Sequence, residues 1–244
     1  MKRFAGKVAL VTGAASGIGA AITQRLSEDG ATIYAIDRSA IPSAPALTSF
    51  VGDVADEATW RTVEGSLSGL DLAVVNAGVA DAAPIAEMTF AAWRRVLGVN
   101  LDGAFLTLRT ALRLMNPGGA IVLVASAAAL KAEIGVGAYA ASKAGLIQLA
   151  RVAAKESAGA GIRVNAIAPG GVETPIWSAM PFFLELVAER GSERAAYDAM
   201  AQMATPLARY ATAEEIAAQI AFLLSDAAAT ITGAVLTSDG GYTL

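Results

Sequence analysis

Residues Val8 to Gly19, with the sequence VALVTGAASGIG, combine a short apolar run with a glycine-rich turn. The run Val8–Thr12 has the length and composition of a buried strand, and a helical stretch follows the turn to about Asp29. Three glycines with the spacing Gly-x3-Gly-x-Gly therefore lie between a strand and a helix. This arrangement predicts the start of an α/β fold that is built on a parallel sheet.

Further apolar runs of strand type follow along the chain, separated by longer amphipathic stretches. The runs are nearly continuous in apolar character, as expected for parallel strands that are buried on both faces. Their alternation predicts one domain over residues 1–244, a Rossmann-type doubly wound parallel sheet with helices on both faces. Pro42 and Pro45 predict a loop, not a helix, in the crossover after the second strand. The further strands are predicted at Thr32–Asp37, Leu70–Asn76, Ala120–Ser126, Arg163–Ala168 and Ala234–Ser238.

The composition excludes several classes of chemistry. The 244 residues include neither Cys nor His, which excludes disulfides, thiolate nucleophiles, and zinc sites built on Cys or His. We therefore expect no metal site, and acid–base chemistry must fall to Asp, Glu, Lys or Tyr. A net charge of -4 argues against nucleic acid as a partner.

The sequence also gives no sign of membrane insertion or export. No uninterrupted apolar stretch approaches the roughly 18 residues that a membrane-spanning helix needs. The basic start of the chain holds only the apolar run Val8–Val11, which is too short for the core of a signal peptide. We therefore expect a cytoplasmic protein with no membrane partner.

The glycine-rich turn is a candidate binding site for the phosphates of a dinucleotide. Glycines let the backbone approach a pyrophosphate, and the helix N-terminus stabilises its negative charge. Asp37 follows Gly19 by 18 residues, close to the spacing of about 20 at which an acidic residue contacts the adenosine ribose. A carboxylate there would repel a 2′-phosphate, so the sequence favours NAD over NADP. Ordinary turn chemistry is the alternative, and Arg38 could partly offset the repulsion.

Three side chains form a candidate catalytic set. Ser126 closes the predicted strand Ala120–Ser126, at the edge where parallel sheets bind ligands. Tyr139 follows 13 positions later, and Lys143 lies four residues beyond it on the same face of a predicted helix. A nearby ammonium favours the phenolate, so Tyr139 could take an alcohol proton while a hydride leaves. Taken singly, each of the three residues could be structural.

Taken together, the motifs of this chain resemble the short-chain dehydrogenase/reductase family. They occur in the family's order and extend to Asp239-Gly240-Gly241, so the resemblance covers essentially the whole chain. The motifs are Thr12-Gly13-x3-Gly17-Ile18-Gly19, Asn76-Ala77-Gly78, Asn100, Ser126, Tyr139-x3-Lys143 and Pro169-Gly170.

The resemblance implies a role for each catalytic residue. Tyr139 would be the general acid and base, and Ser126 would polarise the carbonyl. Lys143 would lower the pKa of the tyrosine and bind the nicotinamide ribose. The backbone of Asn100 would hold a water that links the lysine to solvent. The family also implies a homotetramer.

A cofactor-binding surface is implied as well. Asp53 would contact the adenine, and the strand end Asn76–Gly78 would pack under the cofactor. In the loop that begins at Pro169, Val172 would lie near the carboxamide and Thr174 near the phosphates. The predicted cofactor-binding residues are Gly13, Ser16, Gly17, Ile18, Gly19, Asp37, Asp53, Val54, Asn76, Ala77, Gly78, Tyr139, Lys143, Pro169, Gly170, Val172 and Thr174.

The segment 174–206 would cover the substrate. Its bulky residues Trp177, Met180, Phe182 and Phe183 favour an apolar pocket wall, and hence a fairly apolar alcohol or ketone. Burial of these residues against the fold or a neighbouring subunit is the alternative.

Three functions are compatible with these motifs. The first is an NAD-dependent dehydrogenase that acts on a free secondary alcohol or ketone. The second is a reductase of carrier-linked 3-oxoacyl chains, against which the NAD preference argues. The third is a catalytically silent dinucleotide-binding protein, against which the intact catalytic residues argue. Candidates for the basic patch that an acidic carrier would need are Arg94, Arg95, Arg109 and Arg113.

Overall fold

The computed structural model describes residues 2–244, apart from the side chain of Ala179. The strands are β1 (Val8–Thr12), β2 (Thr32–Asp37), β3 (Leu47–Val51), β4 (Leu70–Val75), β5 (Met115–Val124), β6 (Arg163–Pro169), β7 (Val172–Glu173), β8 (Ala211–Thr212) and β9 (Val235–Ser238). The helices are α1 (Gly17–Glu28), α2 (Glu57–Ser66), α3 (Phe90–Leu97), α4 (Gly103–Leu114), α5 (Gly137–Ser157), α6 (Pro181–Arg190), α7 (Glu193–Ala204) and α8 (Ala213–Leu224).

A seven-stranded sheet with the order β3-β2-β1-β4-β5-β6-β9 forms the centre of the fold. Each neighbouring pair of its strands is parallel. The strand order reverses between β1 and β4, which creates the crevice where open α/β sheets bind ligands. The predicted parallel sheet is therefore confirmed.

Helices cover both faces of the sheet. Alternate residues of β1 enter different cores: Leu10 packs with residues of α2, α4 and α5, whereas Ala9 and Val11 pack with residues of α1 and α8. Trp60 of α2 and Ile22 of α1 are among the largest fully buried side chains of the two layers. The near-continuous apolar strands follow from this double coverage.

The structure differs from the sequence prediction at β3 and β5. The prediction missed β3, whose residues are mostly exposed at the outer edge, so that its sequence LTSFV lacks a continuous apolar run. β5 begins at Met115 instead of Ala120 and ends at Val124, two residues before Ser126. The crossover after β2 contains no helix, as Pro42 and Pro45 predicted. Within residues 2–244, no helix is long and apolar enough to cross a membrane.

The glycine-rich turn is held against the end of β4 by hydrogen bonds. The Asn76 side-chain amide donates to the carbonyls of Thr12, at 2.9 Å, and Gly13, at 3.2 Å. The Thr12 hydroxyl accepts from the backbone N–H groups of Asn76 and Ala77. A Cβ atom added to Gly19 would lie 1.9 Å from the Gly13 carbonyl oxygen and 2.6 Å from Asn76 Nδ2. Only a glycine fits at position 19 without moving the turn.

We predict that Gly19→Ala destabilises the protein, because the new methyl group would force the turn away from the end of β4. Overpacking of this kind costs about 1–3 kcal/mol in the free energy of unfolding, which urea denaturation would measure. Gly65→Ala is the matched control, since no atom lies within 4 Å of the added Cβ in α2. The control should be neutral or slightly stabilising. Equal stability of Gly19→Ala and the wild type would contradict the proposed packing.

Candidate active site

A cavity of about 530 Å³ opens at the carboxyl ends of the central strands. Gly13 follows β1, Asn76 follows β4, Ser126 follows β5, and Pro169 ends β6, and all four line the cavity. The cavity therefore lies at the point where the strand order reverses. All predicted site residues line it except Gly19, Asp53 and Asn100.

The three candidate catalytic side chains meet in this cavity. Ser126 caps a short 3-10 turn, and its hydroxyl oxygen accepts from the Ala128 N–H at 3.2 Å. Tyr139 and Lys143 lie one turn apart in the first part of α5. Lys143 Nζ donates to the Val124 carbonyl at 2.8 Å and lies 5.7 Å from the centre of the Tyr139 ring. The end of β5 thus holds the ammonium near the phenol.

Burial dominates the electrostatics of this pair. It raises the pKa of Tyr139 above its ordinary value, while interaction with the Ser126 hydroxyl acts in the opposite direction. Burial also lowers the pKa of Lys143 to about 8, because the ammonium loses hydration. The predicted lowering of the tyrosine pKa by Lys143 is thus not found for the polypeptide by itself. Desolvation is the largest cause of both shifts.

Asn100 lies behind the cavity, fully buried in the π-helical turn Gly98–Asp102 between α3 and α4. Its side-chain oxygen accepts from the Val79 N–H at 2.8 Å, and its amide donates to the Val79 carbonyl at 2.9 Å. The amide also donates to the Ser142 hydroxyl, which donates to the Tyr139 carbonyl at 2.7 Å. Asn100 therefore links the segment after β4 to the helix that carries Tyr139. The sequence analysis missed Ser142 because nothing in its local sequence marks this contact.

The N-terminus of α1 faces the cavity. Ser16 is the N-cap residue but makes no side-chain cap, so the N–H groups of the first turn stay available to a ligand. Asp37 lies at the same end of the cavity, where its two oxygens accept from the N–H groups of Ala15 and Ser39. These two bonds fix the carboxylate at the end of β2.

Asp53, which the resemblance assigns to the adenine, is not among the residues that line the cavity, and that role stays a prediction. One of its oxygens accepts from the Ala55 N–H at 2.9 Å, and the other lies 3.9 Å from Arg38 Nε. The next residue, Val54, lines the cavity instead, and its carbonyl accepts from the Trp60 indole N–H. Gly19 lies behind the turn, where it serves packing.

The loop from Pro169 to Thr174 borders the cavity next to the glycine-rich turn. The Trp177 indole donates to the Val172 carbonyl at 2.8 Å, and the Tyr197 hydroxyl donates to the Thr174 carbonyl at 3.3 Å. A Cβ atom added to Gly171 would lie 2.3 Å from the Tyr210 ring, so this ring packs directly on the backbone of the loop. The loop is thus tied to the helices that follow it.

The segment 174–206 contains a 3-10 turn, Pro175–Ala179, followed by α6 and α7. Trp177, Met180 and Phe182 line the cavity, as the pocket-wall alternative expects. Phe183 is fully buried and packs against Tyr197, as the core alternative expects. The two alternatives therefore apply to different residues of the same segment.

Several cavity-lining residues were missed by the sequence analysis, and two of them are bonded to each other. The Tyr242 hydroxyl donates to Glu133 Oε1 at 2.6 Å. Lys131 Nζ donates to the Tyr242 carbonyl at 2.7 Å and lies 4.4 Å from the centre of the Tyr242 ring. Tyr242 lies 109 positions from Glu133 and 111 from Lys131, so no local pattern joins it to them. The missed lining residues include Glu133, Thr205, Tyr210 and Tyr242.

Comparison with known proteins agrees with this architecture. Residues 13–243 match a family described as enoyl-(acyl carrier protein) reductase. The chain is 40% identical over 260 residues to cis-4-hydroxycyclohexanecarboxylate dehydrogenase of Sinomonas cyclohexanicum, covering 98% of each chain. It is also 40% identical over 259 residues to D-threitol dehydrogenase of Mycolicibacterium smegmatis, covering 99% of this chain and 95% of the relative.

The fold is similarly close to solved structures. Carveol dehydrogenase from Mycobacterium avium in complex with NAD superposes with a TM-score of 0.89 at 29% identity, with 99% of both chains covered. These relatives carry dehydrogenase names, and the match extends over nearly the entire sequence. The chain belongs to the short-chain dehydrogenase/reductase family.

Proposed function

We propose that this protein oxidises a secondary alcohol, or reduces the corresponding ketone, with NAD(H) as the hydride carrier. The observation that carries the proposal is the convergence of Ser126, Tyr139 and Lys143 with the glycine-rich turn in one cavity. The relatives at 40% identity are named as dehydrogenases of hydroxylated compounds, which supports the same reaction.

The residues present fit a nicotinamide dinucleotide. The first turn of α1 offers N–H groups to a pyrophosphate, and a Cβ at Gly17 would come within 3.2 Å of Thr174, so the glycine keeps this approach open. Asp37 would accept from the ribose hydroxyls and repel a 2′-phosphate. Val54 would border the adenine, and the loop from Pro169 to Thr174 would border the nicotinamide.

The chain supplies the proton chemistry of the reaction. A bound oxidised nicotinamide would supply the acceptor for the hydride of the carbinol carbon. Tyr139 takes the hydroxyl proton of the substrate alcohol. The Ser126 hydroxyl donates a hydrogen bond to the oxygen atom of that alcohol. Lys143 stabilises the phenolate, and Asn100, through Ser142, holds the helix backbone at Tyr139 in position. In reduction, Tyr139 returns the proton to the carbonyl oxygen.

The carrier-linked alternative has support in the description of the matching family, which names an acyl-carrier-linked reductase. The proposed basic patch, however, is largely neutralised. Arg95 pairs with Asp81 at 2.6 Å, and Arg109 pairs with Glu57 at 3.1 Å. Arg113 also lies 3.7 Å from a glutamate. A free alcohol or ketone is therefore preferred, and rates on a free ketone and on a carrier-linked 3-oxoacyl chain would separate the two functions.

A silent dinucleotide-binding protein is disfavoured by the same geometry. Such a protein has no need of Ser126, Tyr139 and a buried Lys143 in one cavity. The segment 174–206 is proposed to cover the substrate, because Trp177 and Met180 line the cavity from that side.

We predict at least a tenfold preference for NADH over NADPH in kcat/KM. The carboxylate of Asp37 accepts hydrogen bonds from the ribose hydroxyls of NADH but repels the 2′-phosphate of NADPH. A tenfold factor corresponds to about 1.4 kcal/mol. Asp37→Ser should reduce the preference. Glu87→Ser is the control, since it removes the same charge from an exposed position that does not line the cavity. Equal use of NADH and NADPH by the wild type would refute the assignment.

Tyr139→Phe should bind NADH with near wild-type affinity but lose turnover by about 10²- to 10⁴-fold, the usual contribution of a general acid or base. Fluorescence titration and NADH absorbance would measure the two effects. Tyr34→Phe is a matched control, because Tyr34 stacks on Phe50 of the edge strand away from the cavity. Retained turnover in Tyr139→Phe would dismiss the mechanism.

The pH dependence tests Lys143 in the same mechanism. Oxidation needs deprotonated Tyr139, so kcat/KM for the alcohol should rise with pH, whereas that for the ketone should fall. Lys143 is charged below its pKa of about 8. Lys143→Ala should therefore weaken NADH binding and slow oxidation most strongly below that pH. An unchanged profile would remove Lys143 from the proposed proton chemistry.

We further propose a homotetramer, as the family resemblance implies, and a cytoplasmic location. Phe105 on α4 and Val152 on α5 are apolar and 47% and 42% exposed, which supports contact between these helices and another copy. Sedimentation velocity should give the mass of four chains, and a monomer would contradict the proposal. Fractionation of expressing cells tests the compartment.

A further inference from the structure

The lining of the cavity is less uniformly apolar than the residues Trp177, Met180 and Phe182 alone would make it. Glu133 and Tyr242 line it together with Ser126 and Tyr139. Glu133 is also exposed to solvent, so its carboxylate lies at the rim of the cavity. An ionised carboxylate beside a substrate cavity is a strong hydrogen-bond acceptor and discriminates between substrates.

The position of Tyr242 is fixed by the turn that precedes it. One oxygen of Asp239 accepts from the Gly241 N–H at 2.9 Å, and the other accepts from the N–H and the hydroxyl of Thr243. A Cβ at Gly241 would lie 2.9 Å from Pro206, so the turn packs against the segment after α7. The hydrogen bonds of Asp239 thus fix the backbone on either side of Tyr242, at Gly241 and at Thr243.

The fixed tyrosine in turn orients Glu133. Burial and the hydrogen bond to Glu133 raise the pKa of Tyr242, so its hydroxyl stays protonated and donates. That bond occupies Glu133 Oε1. Within residues 2–244, Glu133 Oε2 accepts no hydrogen bond, and the carboxylate forms no salt bridge. An oriented acceptor thus remains available at the cavity rim.

We propose that Glu133 is a specificity-determining residue that accepts a hydrogen bond from a second hydroxyl group of the substrate. The substrate class is then a diol or hydroxyketone whose carbon skeleton packs against Trp177 and Met180. This inference rests on the proposed function. A neutral donor is favoured over a cation because Lys131 already places a positive charge at Tyr242. A substrate carboxylate would be repelled.

Initial rates of NADH formation test the proposal. The substrates are cyclohexanol and the 1,2-, 1,3- and 1,4-cyclohexanediols, which place the second hydroxyl at increasing distances from the reacting carbon. The wild type should prefer at least one diol about tenfold in kcat/KM, as expected for a hydrogen bond to a charged group. In Glu133→Ala, the ratio of kcat/KM for the diol to kcat/KM for cyclohexanol should fall close to one. The main cause should be a higher KM for the diol.

Two further variants separate the acceptor from its orientation. Glu133→Gln keeps an acceptor oxygen without the charge and should retain part of the preference. Tyr242→Phe leaves the carboxylate unoriented and should give an intermediate ratio. Glu156→Ala removes an exposed carboxylate from α5 that does not line the cavity, and it should keep the wild-type ratio. Thermal denaturation would confirm that each variant is folded.

The outcomes distinguish the inference from the proposed function. Wild-type oxidation of cyclohexanol at least as fast as of every diol would overturn the inference and leave the dehydrogenase proposal intact. So would a full diol preference in Glu133→Ala, or a stronger preference for an amino alcohol than for the diols. If the wild type forms no NADH from any alcohol, nor oxidises NADH with the matching ketones, both proposals fail.

Discussion

The glycine-rich turn touches the end of β4 so closely that no side chain fits between them. Gly19 lies against the Gly13 carbonyl, and Asn76 closes the contact with two hydrogen bonds. This contact fixes the turn at the crevice where the strand order reverses, between β1 and β4. It also directs the first turn of α1 toward the cavity. The candidate dinucleotide site and the candidate catalytic site therefore lie at one edge of the sheet.

The candidate catalytic residues depend on a second, polar framework. Asn100 lies in a π-helical turn, where its side chain bonds both polar groups of the Val79 backbone and reaches Ser142. Lys143 is almost fully buried and held by the Val124 carbonyl. Burial raises the pKa of Tyr139 and lowers that of Lys143, so it favours the neutral form of each side chain. The polypeptide therefore positions Tyr139 and Lys143. Lowering the pKa of Tyr139 for proton transfer requires the charges of the bound cofactor and substrate.

Much of this arrangement could be predicted from sequence, because it follows from local patterns. The parallel strands were marked by apolar runs, and the pairing of Tyr139 with Lys143 follows from helical periodicity. The missed features depend on contacts between distant segments. β3 is an exposed edge strand, and the bond between Glu133 and Tyr242 joins residues 109 positions apart. The adenine contact of Asp53 was assigned by family resemblance alone and stays a prediction.

The contact between Gly171 and Tyr210 has an evolutionary consequence. The ring packs on the glycine backbone and stacks on Trp177 with 5.8 Å between ring centres. A larger residue at position 171 is tolerated only if the ring at position 210 is lost, and loss of the ring removes a support of Trp177. Substitutions at these positions should therefore be strongly epistatic. Homologues in which this part of the cavity wall differs should therefore carry replacements at both position 171 and position 210. Selection would remove single replacements at either position.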